Sequence, residues 1–305
     1  KSKLNFNSIN HKFDSSKQLQ LSNEILKIMN FDFKQGRLDT SSHPFTVDMH
    51  SSDVRVTTRL NETNLFESIT STIHEGGHGL YEQGLSKEFF GMPLGQSISL
   101  GIHESQSRFW ENHIGKSLTF WKSLYPRLVS FFPNELVNQD EYSLWKNLNK
   151  VEPGLIRVDA DEISYCLHII IRFECEQKLF AGSLSVDELP NYWNQLHKDY
   201  LGLQSNTYSE GVLQDIHWST GAFGYFPTYV LGSIIAAQLD EKIQSEINTF
   251  DEHLNSLNLK PINNWLQLNI FKHGRIYNSD TLVEKITGKK IDVFSFIKYL
   301  KKKYS

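Results

Sequence analysis

The stretch STIHEGGHGLYEQG, residues 71–84, sets two histidines four residues apart with a glutamate directly after the first. On a helix, residues four apart lie one above the other on one face, so His74 and His78 can bring two imidazole nitrogens to one tetrahedral metal ion. Glu75 projects to the side of that pair, where a carboxylate can take a proton from water activated at the metal. The chemistry this arrangement offers is metal-assisted hydrolysis. Gly76 and Gly77 sit in the middle of the same segment, although each glycine costs a helix about 1 kcal/mol against alanine. Two residues without side chains leave a flank of the helix where another backbone or a substrate can come close, with a locally loosened helix as the alternative.

A catalytic zinc takes three protein ligands and keeps a position open. The third ligand is expected from Glu104 in GIHESQSRF, on a following helix that can pack antiparallel to the first. Arg108 lies four residues further on, placed to pair with the acidic cluster. His103 points about 100° away from Glu104 on a helix, which makes it a poor ligand for the same ion and leaves a supporting, a substrate-facing or a packing role.

These residues need helices to hold them, and most of the chain carries helical patterning. NLFESITSTIHEGGHGLYEQG and SLGIHESQSRFWENHI both show an apolar face at helical spacing. Phe109 and Trp110 in the second fall at core positions. SNEILKIMNFDF predicts a short helix capped by Ser22, and KQGRLDTSSHP after it has the composition of a turn. Residues 45–60 are β-branched with partial alternation, which predicts a hairpin or a pair of short strands. Ser185 and Glu188 have capping-box spacing ahead of Pro190. YVLGSIIAAQLDEKIQSEINTFDEHLNSL supplies one long or two consecutive helices, and Gly288 and Asp292 divide a final pair. The fold class is therefore mainly α, a helical HExxH metallopeptidase arrangement with a small β-sheet near the active site. No repeat, low-complexity tract or linker interrupts it, so residues 1–305 are expected to form a single catalytic domain.

Composition narrows the partners. The 31 Lys and Arg nearly balance 35 Asp and Glu at a net charge of −4, which provides no field to draw nucleic acid or an anionic membrane. Aromatic residues make up 12% of the 305, the signature of a packed chain rather than a disordered one. Cys166 and Cys175 are nine apart in one predicted helix, too far round and along it for a disulfide, and reduced thiols favour a cytoplasmic location. The longest apolar run, YCLHIIIRF, contains His168 and Arg172 and is far short of the roughly 20 residues of a membrane span. No signal peptide opens the chain.

Six motifs occur in order: HPF at 43–45, DVRVT at 53–57, HEGGH at 74–78, HESQS at 103–107, IRVDAD at 156–161 and GVLQDIHW at 211–218. Together they resemble the thermostable carboxypeptidase, or carboxypeptidase Taq, family of zinc metallocarboxypeptidases, over nearly the whole chain. The resemblance implies a mostly helical enzyme with a long groove, a three-stranded sheet near the active site, and a homodimer. It implies removal of C-terminal residues from peptides with broad specificity, proline being resisted. It matches His74, His78 and Glu104 to the metal ligands and Glu75 to the general base, with Zn2+ as cofactor and Co2+ able to substitute. Length bounds content: family members of about 500 residues place HExxH past their middle. Here the motif starts at residue 74 of a chain without an initiator methionine, and the expectation is that a substantial N-terminal helical segment is missing.

An exopeptidase must also recognise a chain end, and a terminal carboxylate suits the planar donor fork of arginine. Arg157 and Arg275 are the substrate-binding expectations. An ion pair to Asp159 or Asp161 is the alternative for Arg157, and a structural salt bridge the alternative for Arg275, which follows Gly274 where a turn can direct it into a cleft. Arg55 is expected to support the site structurally, and Asp53 to orient a ligand histidine. His217 is a catalytic expectation, a donor steadying the oxyanion or the substrate backbone, with a hydrogen-bonded core histidine as the alternative. GAFGYFPTYVLG either lines the groove through Tyr225 or Tyr229 or forms a packed turn. Two other functions stay open: a zinc endopeptidase or oligopeptidase with the same ligands, and a truncated inactive relative that binds peptides.

Overall fold

The structure is a computed structural model that describes residues 12–50 and 52–305; the opening KSKLNFNSIN lies outside the described residues. The chain divides into two compact units, residues 1–148 with 232–305, and residues 149–231. Among the described residues there are twelve α-helices and one three-stranded sheet.

In the first unit α1 (Ser15–Ile28) leads to β1 (Gly36–Thr40), β2 (Thr46–His50) and β3 (Asp53–Thr58), then to α2 (Leu65–Gly84). Next come α3 (Leu100–Arg108), a π-helical turn (Phe109–Gly115), α4 (Leu118–Phe131) and α5 (Glu141–Leu148). The second unit holds α6 (Ser164–Phe180) and α7 (Leu189–Leu201). After them come α8 (Pro227–Glu246), α9 (Phe250–Asn255), α10 (Lys260–Asn269), α11 (Ser279–Thr287) and α12 (Phe294–Tyr304).

Two local expectations are corrected. Asp14, not Ser22, caps α1, accepting from the Lys17 amide at 2.9 Å. The buried stripe Gln18, Leu21, Ser22, Ile25, Leu26 runs at helical spacing from that earlier start, and Ser22 meets Thr72 of α2 inside the core at 3.0 Å. The segment with turn composition contains β1, which pairs in parallel with β3 from Gly36↔Val54 to Thr40↔Thr58. Gly36 permits this, since a Cβ there would meet the Val54 carbonyl oxygen at 2.2 Å.

The strand pair within 45–60 forms as expected, β2 antiparallel to β3 with Thr46↔Val56 and Val47↔Arg55, and an irregularity between Asp48 and His50. β3 is central, its Val54 and Val56 buried and Arg55 turned outward. Asn64 caps α2, whose buried face joins α1, β3 and α3 in one core with Phe109, Trp110 and Trp121. Ser185 and Glu188 form the capping box ahead of α7, the Ser185 amide donating to Glu188 Oε2 at 3.0 Å and the Glu188 amide to Ser185 Oγ at 3.3 Å. The long C-terminal pattern breaks into α8 and α9. Gly288 ends α11 in the left-handed conformation, and Asp292 accepts from the Phe294 amide at the start of α12.

In the second unit α6 and α7 pack through Ile171, Cys175, Trp193 and Leu196. Cys166 and Cys175, both on α6, form no disulfide, and burial pushes Cys175 up to about 12.

Candidate metal centre

His74 and His78 project from one face of α2, their ring centroids 5.0 Å apart. α3 brings Glu104 to them: its Oε2 lies 3.8 Å from His74 Nε2 and 3.5 Å from His78 Nε2. One donor atom from each residue falls within 4.8 Å of the others. Ligands about 2.0–2.2 Å from a single tetrahedral ion stand about 3.3–3.6 Å apart, so this donor set fits a zinc ion with little rearrangement.

The glycines account for the approach of the two helices. A Cβ on Gly77 would lie 2.8 Å from the Gln106 carbonyl oxygen and Ser107 Cα, so it is the backbone of α3 that occupies the flank left open there. Gly76 faces Leu26 and Met29 of α1 in the same way, and Gly232 of α8 lies against the side chain of Glu104. The helix cost of these glycines is offset by close packing that positions Glu104 beside the two histidines.

Both histidines are oriented through their other ring nitrogen. His74 Nδ1 lies 2.8 Å from Glu111 Oε2, on the π-helical turn. A carboxylate accepts, so Nδ1 carries the proton and Nε2 keeps its lone pair for the metal side. His78 Nδ1 lies 2.5 Å from His103 Nδ1, and His103 Nε2 lies 2.6 Å from Glu82 Oε1. One tautomeric arrangement satisfies this chain: His78 Nδ1–H donates to His103, and His103 Nε2–H donates to Glu82. It again leaves Nε2 of His78 free to coordinate. His103 is thus outside the ligand set and behind it.

Cations hold the carboxylates ionised. Arg108 Nε donates to Glu104 Oε1 at 2.7 Å and Lys116 Nζ to Glu111 Oε1 at 2.6 Å. Burial acts to raise both carboxyls, but Arg108 and His74 for Glu104, and Lys116 and Arg108 for Glu111, bring both well below the ordinary glutamate range. Burial likewise acts to lower His74, yet Glu104 and Glu111 leave it raised, whereas His78, buried and beside His103, is lowered. Glu75 is buried next to the pair, and the Thr46 hydroxyl on β2 lies 2.7 Å from its Oε2. The sheet therefore fixes the carboxylate expected to move the proton.

Asp53 does not orient a ligand histidine. It pairs with Arg55 at 2.7 Å on the outer face of the sheet, because alternation along β3 turns both away from the core. The orienting groups are Glu111 and, through His103, Glu82. Sequence reasoning passed over them together with Thr46 and Lys116, although Glu104, Arg108 and Glu111 at i, i+4 and i+7 do mark one helical face.

Arg275 follows Gly274, whose φ of 47° only glycine adopts readily, and its Nε donates to the Ser97 carbonyl at 3.1 Å. It lines a cavity of about 410 Å3 with Asp48, His50, Glu82, Phe90 and His103. In the second unit Arg157 is buried, with Nε and Nη2 donating to Asp215 at 2.9 and 2.7 Å and Nη1 to the Tyr165 hydroxyl at 3.1 Å. Its ion pair is to neither Asp159 nor Asp161, and Asp161 instead accepts from the Ser164 amide at the start of α6. His217 Nε2 lies 3.0 Å from the Tyr229 hydroxyl and its ring packs on Phe226.

A family model described as Carboxypeptidase Taq (M32) metallopeptidase matches residues 1–304. Thermostable carboxypeptidase 1 of Thermus thermophilus is 43% identical over 283 residues, 92% of this chain and 55% of that protein. Carboxypeptidase 1 of Bacillus subtilis is 41% identical over 293 residues, 96% of this chain and 58% of that protein. The crystal structure of the M32 carboxypeptidase from Deinococcus radiodurans R1 matches with a TM-score of 0.95 at 36% identity, over 97% of this chain and 60% of that one. The chain spans a little over half the length of the curated relatives it matches.

Proposed function

Because this chain belongs to the carboxypeptidase Taq (M32) family of metallopeptidases, we propose that it hydrolyses the C-terminal peptide bond of peptides with broad specificity, releasing single amino acids. The observation that carries the reading is the convergence of His74, His78 and Glu104, each held by an outer partner, with Glu75 directly beside them.

His74 Nε2, His78 Nε2 and a Glu104 oxygen would hold a zinc ion, and cobalt can replace it in such a nitrogen and oxygen site. Bound there, the ion supplies a Lewis acid for the scissile carbonyl and lowers the pKa of a water molecule. Glu75 takes the proton of the attacking water on its carboxylate and passes it to the departing amine. The Thr46 hydroxyl holds that carboxylate in place. Arg275, at the cavity wall beside His103, receives the terminal carboxylate of the peptide. Arg157, paired with Asp215, is the second substrate-binding group, and His217 with Tyr229 donates to the substrate backbone or its developing oxyanion.

The proposal extends to residues 1–305 acting as one catalytic region of a longer, about 500-residue, carboxypeptidase. That protein is proposed to be a homodimer in the cytoplasm, a setting that two cysteines without a disulfide suit. No helix among the described residues is long and apolar enough to cross a membrane.

The test compares free-acid and C-terminally amidated peptides, with products read as a mass ladder. The free acid should shorten one residue at a time, and chelation should stop the reaction until zinc or cobalt is restored. Equal cleavage of the amidated peptide, or internal fragments appearing first, would assign the chain to endopeptidases. Zinc binding without any cleavage would leave a peptide-binding relative.

A further inference from the structure

The π-helical turn that carries Glu111 is held by the last helix of the chain. In the turn the Lys116 amide donates to the Glu111 carbonyl, five residues back, at 2.8 Å, and the Ser117 amide donates to the Ile114 carbonyl at 3.0 Å. Those are the two amides that would reach the Asn112 carbonyl if the turn closed on it in α or π fashion, and both are used elsewhere. The Asn112 carbonyl instead accepts from the Tyr299 hydroxyl of α12 at 3.0 Å and from Lys303 Nζ at 3.4 Å. Asn112 is buried, so a carbonyl without a donor there would be costly.

The i→i+5 closure has a consequence for the metal side. It brings Lys116 round to the flank of Glu111, where the two pair at 2.6 Å, while Glu111 Oε2 holds His74 Nδ1 at 2.8 Å. An α-helical turn would carry a residue five positions on well away from that face. The turn therefore sets which way the Glu111 carboxylate points. α12 is in turn seated on α8, Ser295 and Lys298 both donating to Glu241, and the Tyr299 ring lies 4.1 Å from that of His113, whose Nδ1 is 3.1 Å from Asp240 of α8.

We propose that Tyr299 is a positioning residue for the metal centre: by occupying the Asn112 carbonyl it holds the π-helical turn in the form that aims Glu111 at His74. The inference rests on the assignment of His74 as a ligand, and its reach is from the C-terminal helix to the orientation of that one imidazole.

The experiment uses the full protein labelled with 15N-histidine, with two readouts. One is the His74 Nδ1–H resonance in the metal-free protein, which the Glu111 hydrogen bond protects from solvent exchange. The other is zinc affinity by chelator competition. Tyr299→Phe keeps the ring beside His113 and removes only the hydroxyl. It should broaden or abolish the His74 resonance and weaken zinc binding by about tenfold, the lower end of what loss of an outer partner costs. Lys298→Ala loosens α12 from Glu241 without touching Asn112 and should change neither readout. A Tyr299→Phe protein with a wild-type His74 resonance overturns the proposal, as does Lys298→Ala matching it in effect, since helix docking alone would then be responsible. Should Tyr299→Phe fail to fold, Tyr299→Leu removes the hydroxyl together with the ring, and an unaltered His74 resonance there is equally fatal; Lys303→Met leaves the hydroxyl on the Asn112 carbonyl and should leave the resonance unchanged, and a loss there would assign the turn to Lys303 instead. If the wild type binds no zinc, the functional reading falls, while the resonance in the metal-free protein still decides the link between Tyr299 and His74.

Discussion

His78 Nδ1 and His103 Nδ1 stand 2.5 Å apart, and the far nitrogen of His103 is 2.6 Å from Glu82. Two like atoms at that distance share one proton; with Glu82 accepting from Nε2–H of a neutral His103, that proton sits on His78 Nδ1 and leaves His78 Nε2 to face Glu104. Replacing His103 with phenylalanine keeps the ring volume and removes the acceptor. Zinc affinity should fall about 10-fold to 100-fold by chelator competition, with Glu82→Gln giving a smaller loss. Unchanged affinity in both variants would make this chain a packing feature only.

Glu75→Gln should leave zinc stoichiometry intact and lower kcat by about 100-fold to 10,000-fold, because an amide cannot take the proton of the attacking water. Thr46 can still donate to the amide oxygen, so the side chain has a reason to stay in place. Metal analysis on the same preparation that is assayed separates loss of a base from loss of the ion. Turnover within about tenfold of the parent would put the base elsewhere.

Gly77→Ala tests how the ligands are brought together. Alanine favours the helix by about 1 kcal/mol, but its Cβ would press on the α3 backbone at 2.8 Å, and overpacking costs about 1–3 kcal/mol. Since α3 carries Glu104, its displacement should weaken zinc binding by about tenfold or more while far-UV circular dichroism stays native. A variant that is stabilised and binds zinc normally would show that the close approach is dispensable.

The second unit should lose stability in acid. His168 and His197 are fully buried, with ring centroids 5.5 Å apart. Burial first, and the Arg172 charge second, hold His168 down to about 3; burial holds His197 down to about 4. The unfolded chain binds these protons near the ordinary value of 6.5 while the folded unit does not, so stability is whole above that pH and falls as pH drops from there towards 4. The slope is about 1.4 kcal/mol per pH unit for each histidine. Urea unfolding followed by Trp193 emission at pH 7 and pH 5 should show it, and His197→Phe should reduce the slope. A pH-independent midpoint over that range would mean that the folded rings take up protons as readily as the unfolded chain does.

The sequence alone determined what depends on neighbours within a helical turn or two. The placing of His74 and His78 on one face, Glu75 beside them, the Arg108 partner of Glu104 and the end of α11 at Gly288 all follow from spacing and from what each residue can do to its own backbone. HESQS supplied Glu104, the third member of the cluster, because its helix begins soon after the first one ends. Tertiary structure decided the rest. β1 has turn composition and becomes a strand because β3 offers it a ladder and Gly36 lets the backbones meet. Arg157 passes over the aspartates next to it for Asp215, 58 residues away. Lys116 reaches Glu111 because the helical run beyond α3 widens into a π turn, and a carbonyl freed by that turn is satisfied by Tyr299, 187 residues further along. Local spacing carries no information about such partners, because a buried polar group is satisfied by whichever donor the packing brings to it.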